Sequence, residues 1–405
     1  MTVPGGGPQV RPARWNPVSA TLAASGLCAL VAFPFLRLAP NRMLSGEPMY
    51  FSGVAQIPVL FQALFPTLFM GLLLSLWVLP FTPPRRLVLW LQAVIATAVV
   101  VAWVALAGWQ ASQLVKPETP FARTSLGGAF WALLVVFWLM ATDAMQRLKA
   151  GLAARTTLLA AAVFTISLLV AQGACDDLSI MKEYANRSDV FAAAIARHVQ
   201  IVALALLPTL CIGVPLGWWI SRHSAAGQTL FPVLNVIQTI PSIALFGLLM
   251  APLALLAAVW PGLGRAGISG VGMAPGVIAL TLYSLLPVVR GTLAGFDAVP
   301  SAVVNAARGL GLSPGQIFRQ VDVPLASPVL LAGVRTATIQ AIGLATVTGL
   351  IGAGGLGAIM FEGLFSSAPD LVLLGVLPVI ALGVGVDALF KLLIRLMPLT
   401  QGPPP

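Results

Sequence analysis

Long apolar runs alternate with short polar ones along the whole chain. Ten runs are continuous enough to be membrane-crossing helices, at about residues 18–39, 59–80, 87–109, 125–143, 156–173, 196–220, 229–258, 274–290, 327–350 and 371–395. The criterion is length: roughly 18–20 helical residues at ~1.5 Å each cross a ~30 Å hydrocarbon layer. None of the runs has the alternation over ~10 residues that marks a membrane β-barrel strand. The pattern therefore predicts an all-α polytopic membrane protein. A polar stretch, ACDDLSIMKEYANRSD, separates five spans from five near residue 175. The expected parts are a five-span region at 1–175, an external loop at 176–195, a second membrane region at 196–395 and a tail at 396–405.

In the second half the apolar pattern is broken by a hydrophilic, helix-capable segment at 296–324. From Ser301 to Pro324 the sequence predicts two short helices, with small residues at Ala302, Ala306 and Ala307 and a pause at Gly309 and Gly311. Ser313-Pro314-Gly315-Gln316 fits a capping box with proline at the first helical position. Pro324 is expected to stop the second helix. Pro208, Pro215, Pro241 and Pro252 are expected inside spans, where each removes a backbone hydrogen bond and favours a kink.

Composition agrees with a membrane assignment. Of 405 residues, 59% are hydrophobic and 8% charged, against about a quarter charged in ordinary domains. The net charge of +10 does not mark a nucleic-acid binder, because the basic residues form no patch interleaved with aromatics. They report orientation instead. With the N-terminus inside, most of the 22 basic residues, among them Arg85, Arg147, Arg155, Arg222, Arg308, Arg319 and Arg335, fall on the cytoplasmic side. Both termini and Ser301–Pro324 are then cytoplasmic. The first run follows Arg11 and Arg14, as a signal peptide would, yet it is too long and lacks an A-x-A site, so it counts as a span. Cys28, Cys175 and Cys211 show no paired spacing, which points to neither a disulfide framework nor a metal site.

Candidate chemistry is sparse. Lys116, Lys149, Lys182 and Lys391 are the only lysines, and none stands in a Walker A sequence, so the chain carries no ATPase site of its own. His198 and His223 are isolated and no paired catalytic carboxylates stand out, so no enzyme is expected. Gly352, Gly354 and Gly357 spell G-x-G-x-x-G, but they follow a membrane span rather than a strand and read as a re-entrant turn lining a cavity. Asp387 lies four residues before Lys391, an order that favours an ion pair on a helix. Few acids lie within spans, which counts against an ion-coupled secondary transporter or channel, the alternative from another class. Trp218, Trp219, Phe246 and Tyr283 offer ring faces to a quaternary ammonium, or else serve as packing residues.

The 301–324 segment resembles the cytoplasmic loop of ABC importer permeases, whose pattern is E-A-A, three residues, G, nine residues, I-x-L-P. Asn305, Ala306 and Ala307, then Gly311, then Val321, Val323 and Pro324 keep every interval, with Arg308 and Gly309 between. Asn305 replaces the glutamate. The stretches Asn235–Ser242, Tyr283–Pro287 and Ile351–Gly357 resemble the branch that imports glycine betaine, choline and carnitine, over roughly residues 195–395. Relatives for amino acids or sulfonates share parts of these stretches. The resemblance implies a coupling helix that docks on an ATPase dimer holding ATP and Mg²⁺, an extracytoplasmic binding protein, and a second permease subunit that is another copy or a shorter relative. It implies no cofactor on this chain and a place in a bacterial inner membrane. It also points to Gln238, Thr239, Pro241, Ser242, Tyr283, Gly352, Gly354, Gly355 and Gly357 as candidates for the translocation path or its gate.

Overall fold

The computed structural model describes residues 16–41, 46–51, 73, 75–83, 85–115, 121–265 and 267–397. The chain forms two compact units, Met1–Ala185 and Asn186–Pro405. Eight described helices are long and apolar enough to cross a membrane. The sequence-predicted span at 59–80 lies largely outside the described residues.

The first unit contains α1 (Pro17–Ala32), α2 (Arg86–Leu114), α3 (Gly128–Arg147), α4 (Leu152–Ala171) and the short α5 (Ser179–Ala185). The first span is shorter than the hydropathy predicts. Phe33 precedes Pro34, which disfavours helical geometry, and Phe33 is extended at φ −117 and ψ 149. The apolar residues beyond it form strand β1 (Leu36–Ala39) instead. It pairs antiparallel with β2 (Glu47–Met49) and β3 (Arg123–Leu126) in the order β2-β1-β3, a small sheet that hydropathy does not predict.

Aromatic packing centres on Trp103, fully buried on α2, with the Phe35 ring centroid 4.6 Å away and its own Nε1–H donating to the Phe130 carbonyl at 3.2 Å. At one end of these helices a single carboxylate joins three elements. Asp143 on α3 accepts from Asn16 Nδ2 at 2.7 Å, from Ser19 Oγ at 3.1 Å and from Arg147 Nε at 3.0 Å, while Gln92 on α2 donates to Ser19 Oγ at 2.7 Å. Asn16 also caps α1 through the Ser19 amide. Burial pushes the Cys175 thiol above its ordinary value, and Asp176 adds to the shift. Cys28, Cys175 and Cys211 are all free.

The second unit runs α6 (Ser188–Arg222), α7 (Ser224–Thr239), α8 (Ser242–Val259), α9 (Pro261–Arg265), α10 (Met273–Asp297), α11 (Ser301–Gly309), α12 (Pro314–Ile317), α13 (Val323–Ala345), α14 (Leu356–Phe365) and α15 (Pro369–Leu396). Residues 176–195 are thus mostly helical, in α5 and the first turns of α6. The axis of the unit is α10, which packs against α6, α7, α8 and α13. Small and hydroxylated side chains along it permit close approach. Thr281, for example, donates from Oγ1 to the Ala205 carbonyl on α6 at 3.1 Å.

Several expectations change here. The predicted span at 229–258 is two helices, α7 and α8. Pro241 is not inside a helix but is the N-cap of α8, whereas Pro208 and Pro215 lie within α6 and Pro252 within α8. Arg335 lies within α13, inside the span predicted at 327–350, and its Nε donates to Asp387 Oδ1 at 2.6 Å. Asp387 is also paired with Lys391 at 2.6 Å, as their spacing predicts. The intramembrane acid therefore serves two cations, which is how a charge is tolerated in a span.

Candidate functional site

The segment from Ser301 to Pro324 is helical, and its local structure follows from its sequence. α11 ends at a Schellman turn: the Gly311 amide bonds to the Arg308 carbonyl at 2.9 Å and the Leu312 amide to the Ala307 carbonyl at 3.2 Å. That turn needs a left-handed residue, and Gly311 takes φ +79. The capping box then starts α12. The Gln316 amide donates to Ser313 Oγ at 3.4 Å, and the Ser313 amide donates back to Gln316 Oε1 at 2.8 Å. Asn305, Ala306, Arg308, Gly309 and Gly311 are exposed, while Ala307 and Ile317 are buried and fix the inner face. Leu310 is 81% exposed, the largest exposure among the large hydrophobics of the described residues.

Pro324 does not stop this segment. After α12 the chain makes a five-residue π turn, Phe318–Asp322, and passes directly into α13. Pro324 stands immediately after the π turn, where the Val323 amide bonds back to the Phe318 carbonyl and the hydrogen-bond register changes. Val323 is exposed, and Val321 and Pro324 are partly buried. Beside the segment lies a cavity of about 230 Å³, whose wall includes Asn305, Arg308, Asp297, Arg222 and Asp322. The Arg222 guanidinium donates to Asp322 Oδ2 at 2.7 Å. Sequence reasoning misses this pair, which spans 100 positions and carries no spacing signal.

The second feature is the break between α7 and α8. Pro287 in α10 has no N–H, so the Tyr283 carbonyl one turn earlier is left without its helical donor. Gln238 Nε2 donates to that carbonyl at 2.9 Å. Tyr283 reciprocates: its hydroxyl donates to the Ile240 carbonyl at 2.5 Å, at the break itself. Two separate sequence stretches, Asn235–Ser242 and Tyr283–Pro287, are thereby locked together. Tyr283 lies ten residues along the 25-residue α10, or about 15 Å from its start at ~1.5 Å per residue, which is near mid-depth.

A cavity of about 300 Å³ opens here, lined by Gln238, Thr239, Ile240, Pro241, Ser242, Tyr283, Gln340 and Leu344. Five sequence-predicted path residues therefore share one wall. Gln340 is an addition to them, since nothing in its neighbourhood of α13 marks it. Among the described residues, no charged side chain lines the cavity. Trp218 and Trp219 are elsewhere, packed against Phe318 and His223, and Phe246 is buried behind the cavity in the cluster that holds Tyr283, Ile240 and Leu344.

The glycines at 352–357 do not line this cavity. They form a pinned turn between a 3-10 segment, Val347–Ile351, and α14. Gly352, Gly354 and Gly355 have φ of +77, +81 and +75. From α6, Arg197 Nε donates to the Ala353 carbonyl at 3.1 Å, and His198 Nε2 donates to the Ile342 carbonyl at 3.1 Å. The Gly272 amide holds the Ile351 carbonyl at 2.7 Å. A methyl group on Gly357 would sit 1.8 Å from the Thr346 carbonyl oxygen.

Comparison with known proteins follows the same division. Residues 14–181 match the family described as the N-terminal domain of the ABC transporter permease YehY, and residues 211–397 match the binding-protein-dependent transport system inner membrane component. Over 191 residues the chain is 37% identical to the osmoprotectant import permease protein OsmW of Salmonella typhimurium, covering 47% of this chain and 84% of that one. Over 190 residues it is 35% identical to the choline transport system permease protein OpuBB of Bacillus subtilis, covering 47% and 80%. Over 203 residues it is 36% identical to the carnitine transport permease protein OpuCB of Listeria monocytogenes, covering 50% and 86%. Among solved structures, the inward-facing MetNI methionine ABC transporter has a chain that is 21% identical, with a TM-score of 0.44 and coverage of 52% and 97%. The chain belongs to the binding-protein-dependent inner membrane component family and is a permease subunit of an ABC importer.

Proposed function

We propose that this permease imports osmoprotectants with a quaternary ammonium group, of which glycine betaine, choline and carnitine are the type. The observation that carries the substrate class is the cavity at the α7–α8 break, whose walls are uncharged and mix polar with apolar side chains. A zwitterion or a bulky cation with low charge density needs no buried counter-ion there, and Tyr283 adds a ring face. The names of the relatives, osmoprotectant, choline and carnitine permeases, support the same class. Gln238, Thr239, Pro241, Ser242 and Tyr283 then line the path, and the glycine turn at 352–357 holds its outer end.

ATP and Mg²⁺ belong to a separate ATPase dimer that grips α11 and α12. The exposed Asn305, Ala306, Arg308 and Gly309, with Gly311 turning the chain and Ala307, Val321, Val323 and Pro324 setting its base, form the docking surface. An extracytoplasmic binding protein delivers substrate, and a second permease subunit, a copy or a shorter relative, completes the pathway. The complex sits in a bacterial inner membrane with both termini of this chain in the cytoplasm. Closure of the ATPases moves α11 and α12, and the packed spans rock between outward and inward access.

The test is uptake in proteoliposomes containing this chain, its ATPase and its binding protein. ATP-dependent accumulation of labelled choline or glycine betaine is expected, and competition by an amino acid alone would reassign the substrate. Uptake by this chain without ATP, on an ion gradient, would overturn the importer reading. Ala306→Trp is expected to cut uptake by more than about tenfold at unchanged membrane abundance, as loss of a central interface contact does.

A further inference from the structure

The π turn at Phe318–Asp322 is the one irregular point in an otherwise continuous helix from Pro314 to Ala345 among the described residues. Single π turns are found mostly at functional sites, because the extra residue redirects side chains out of helical register. Both ends of this turn are held by α6, and its first residue is held by α10 as well. Phe318 stacks on Phe296, in the last turn of α10, with centroids 6.1 Å apart and planes 5° apart, and its ring lies 5.4 Å from Trp218 on α6. Asp322 takes the guanidinium of Arg222, four residues and one helical turn beyond Trp218. Three helix ends therefore close on one ring cluster and one ion pair.

Asp322 is 5% exposed, so its charge is tolerated only while Arg222 stays with it. The contact resists being pulled apart, yet an ion pair and a face-on ring contact both permit rotation and sliding. On the other side of the pair, the 230 Å³ cavity leaves space next to Asn305 and Arg308 on α11. The arrangement holds α12 and α13 to α6 and α10 while leaving α11 room to shift.

We infer that Arg222 and Asp322, with Phe318 between Trp218 and Phe296, are positioning residues that transmit displacement of α11–α12 into α6 and α10 as well as α13. Without this joint, movement of the segment would reach only the helices it is joined to along the chain, α10 and α13, and would leave α6 behind, so ATP would be hydrolysed without opening the path. The inference rests on the reading that α11–α12 docks on the ATPase.

The experiment uses the complete transporter in proteoliposomes, with ATP hydrolysis and uptake measured on the same vesicles and ATPase attachment measured by co-purification. Arg222→Asp and Asp322→Arg are each expected to retain attachment but lower substrate taken up per ATP about tenfold or more, within the range of ordinary coupling energies. The charge-swapped double variant is expected to restore the ratio to within about threefold of wild type. Arg222→Gln with Asp322→Asn leaves no lone buried charge and keeps the test open if the single variants fold poorly; it is expected to uncouple partially. An unchanged ratio in the neutral double variant, or no recovery on swapping, overturns the joint. Ala306→Trp run in parallel separates the two readings: if it impairs neither attachment nor uptake, the docking assignment itself is wrong.

Discussion

A Gly357→Ala permease is expected to be lost from the membrane, at less than about a tenth of wild-type abundance, because a cost of more than about 3 kcal/mol is a large share of the ~5–15 kcal/mol that holds a folded chain and losses of ~1–2 kcal/mol already change abundance several-fold. The added methyl would lie 1.8 Å from the Thr346 carbonyl oxygen and 2.6 Å from the Thr346 carbonyl carbon, both backbone atoms. Neither can rotate away as a flexible side chain would. The turn cannot move as a body either, since Arg197 on α6 and the Gly272 amide at the start of α10 hold its Ala353 and Ile351 carbonyls. Gly343→Ala is the control: it sits on α13, a helix shared with the same turn, and a methyl there meets nothing within 4 Å. It is expected to express normally. Immunoblots of membrane fractions and thermal unfolding in detergent check the pair, and equal abundance of the two variants would remove the steric explanation.

The second large effect is at the α7–α8 break. Gln238→Leu removes the donor that compensates for the missing N–H of Pro287, leaving the Tyr283 carbonyl unpaired at a cost of about 1–3 kcal/mol. Pro287→Ala returns an N–H to α10 at the position that completes the helical bond. Combined, the two substitutions are expected to be more stable than Gln238→Leu alone, giving a favourable coupling in a double-mutant cycle. Uptake behaves differently. The double variant loses the Gln238 tie and keeps only the Tyr283 hydroxyl on the Ile240 carbonyl, so its transport is expected to stay low while its stability recovers. Chemical denaturation in detergent reads the first quantity and ATP-driven uptake the second. Strictly additive stabilities would mean that Gln238 does not serve the carbonyl freed by Pro287.

Features that depend on neighbours along the chain are legible in the residues themselves. The capping box at Ser313 and Gln316 and the pause at Gly311 are written within a few positions, and both form as read. The apolar runs locate the spans of α2, α3, α4, α6, α10, α13 and α15 because burial in lipid demands length and little else. Changes of direction inside apolar sequence are not legible. Gln238, Thr239 and Ser242 make only a short polar dip between Ile237, Ile240 and Ile243, so averaged hydropathy runs across the break between α7 and α8. The short β1 is absorbed into the first span for the same reason. Pairings between distant positions are also invisible: nothing near Arg222 names Asp322, and nothing near Arg335 names Asp387. For the candidate path, the stretches around Gln238 and Tyr283 stand out in the sequence, but their reciprocal hydrogen bonds and the contribution of Gln340 exist only once the helices are in place.

The small sheet of the first unit has a consequence for how the chain is made. β1 at Leu36–Ala39 finds its second partner only at Arg123–Leu126. At roughly 5–20 residues per second, the ribosome needs on the order of 4–17 s to deliver that partner, and α2 must enter the bilayer in the interval. Until then β1 has β2 on one side and an open edge on the other. Insertion of α2 therefore sets when the first unit can close, and a pause in translation there would leave the newborn protein waiting with an unpaired strand at the membrane surface.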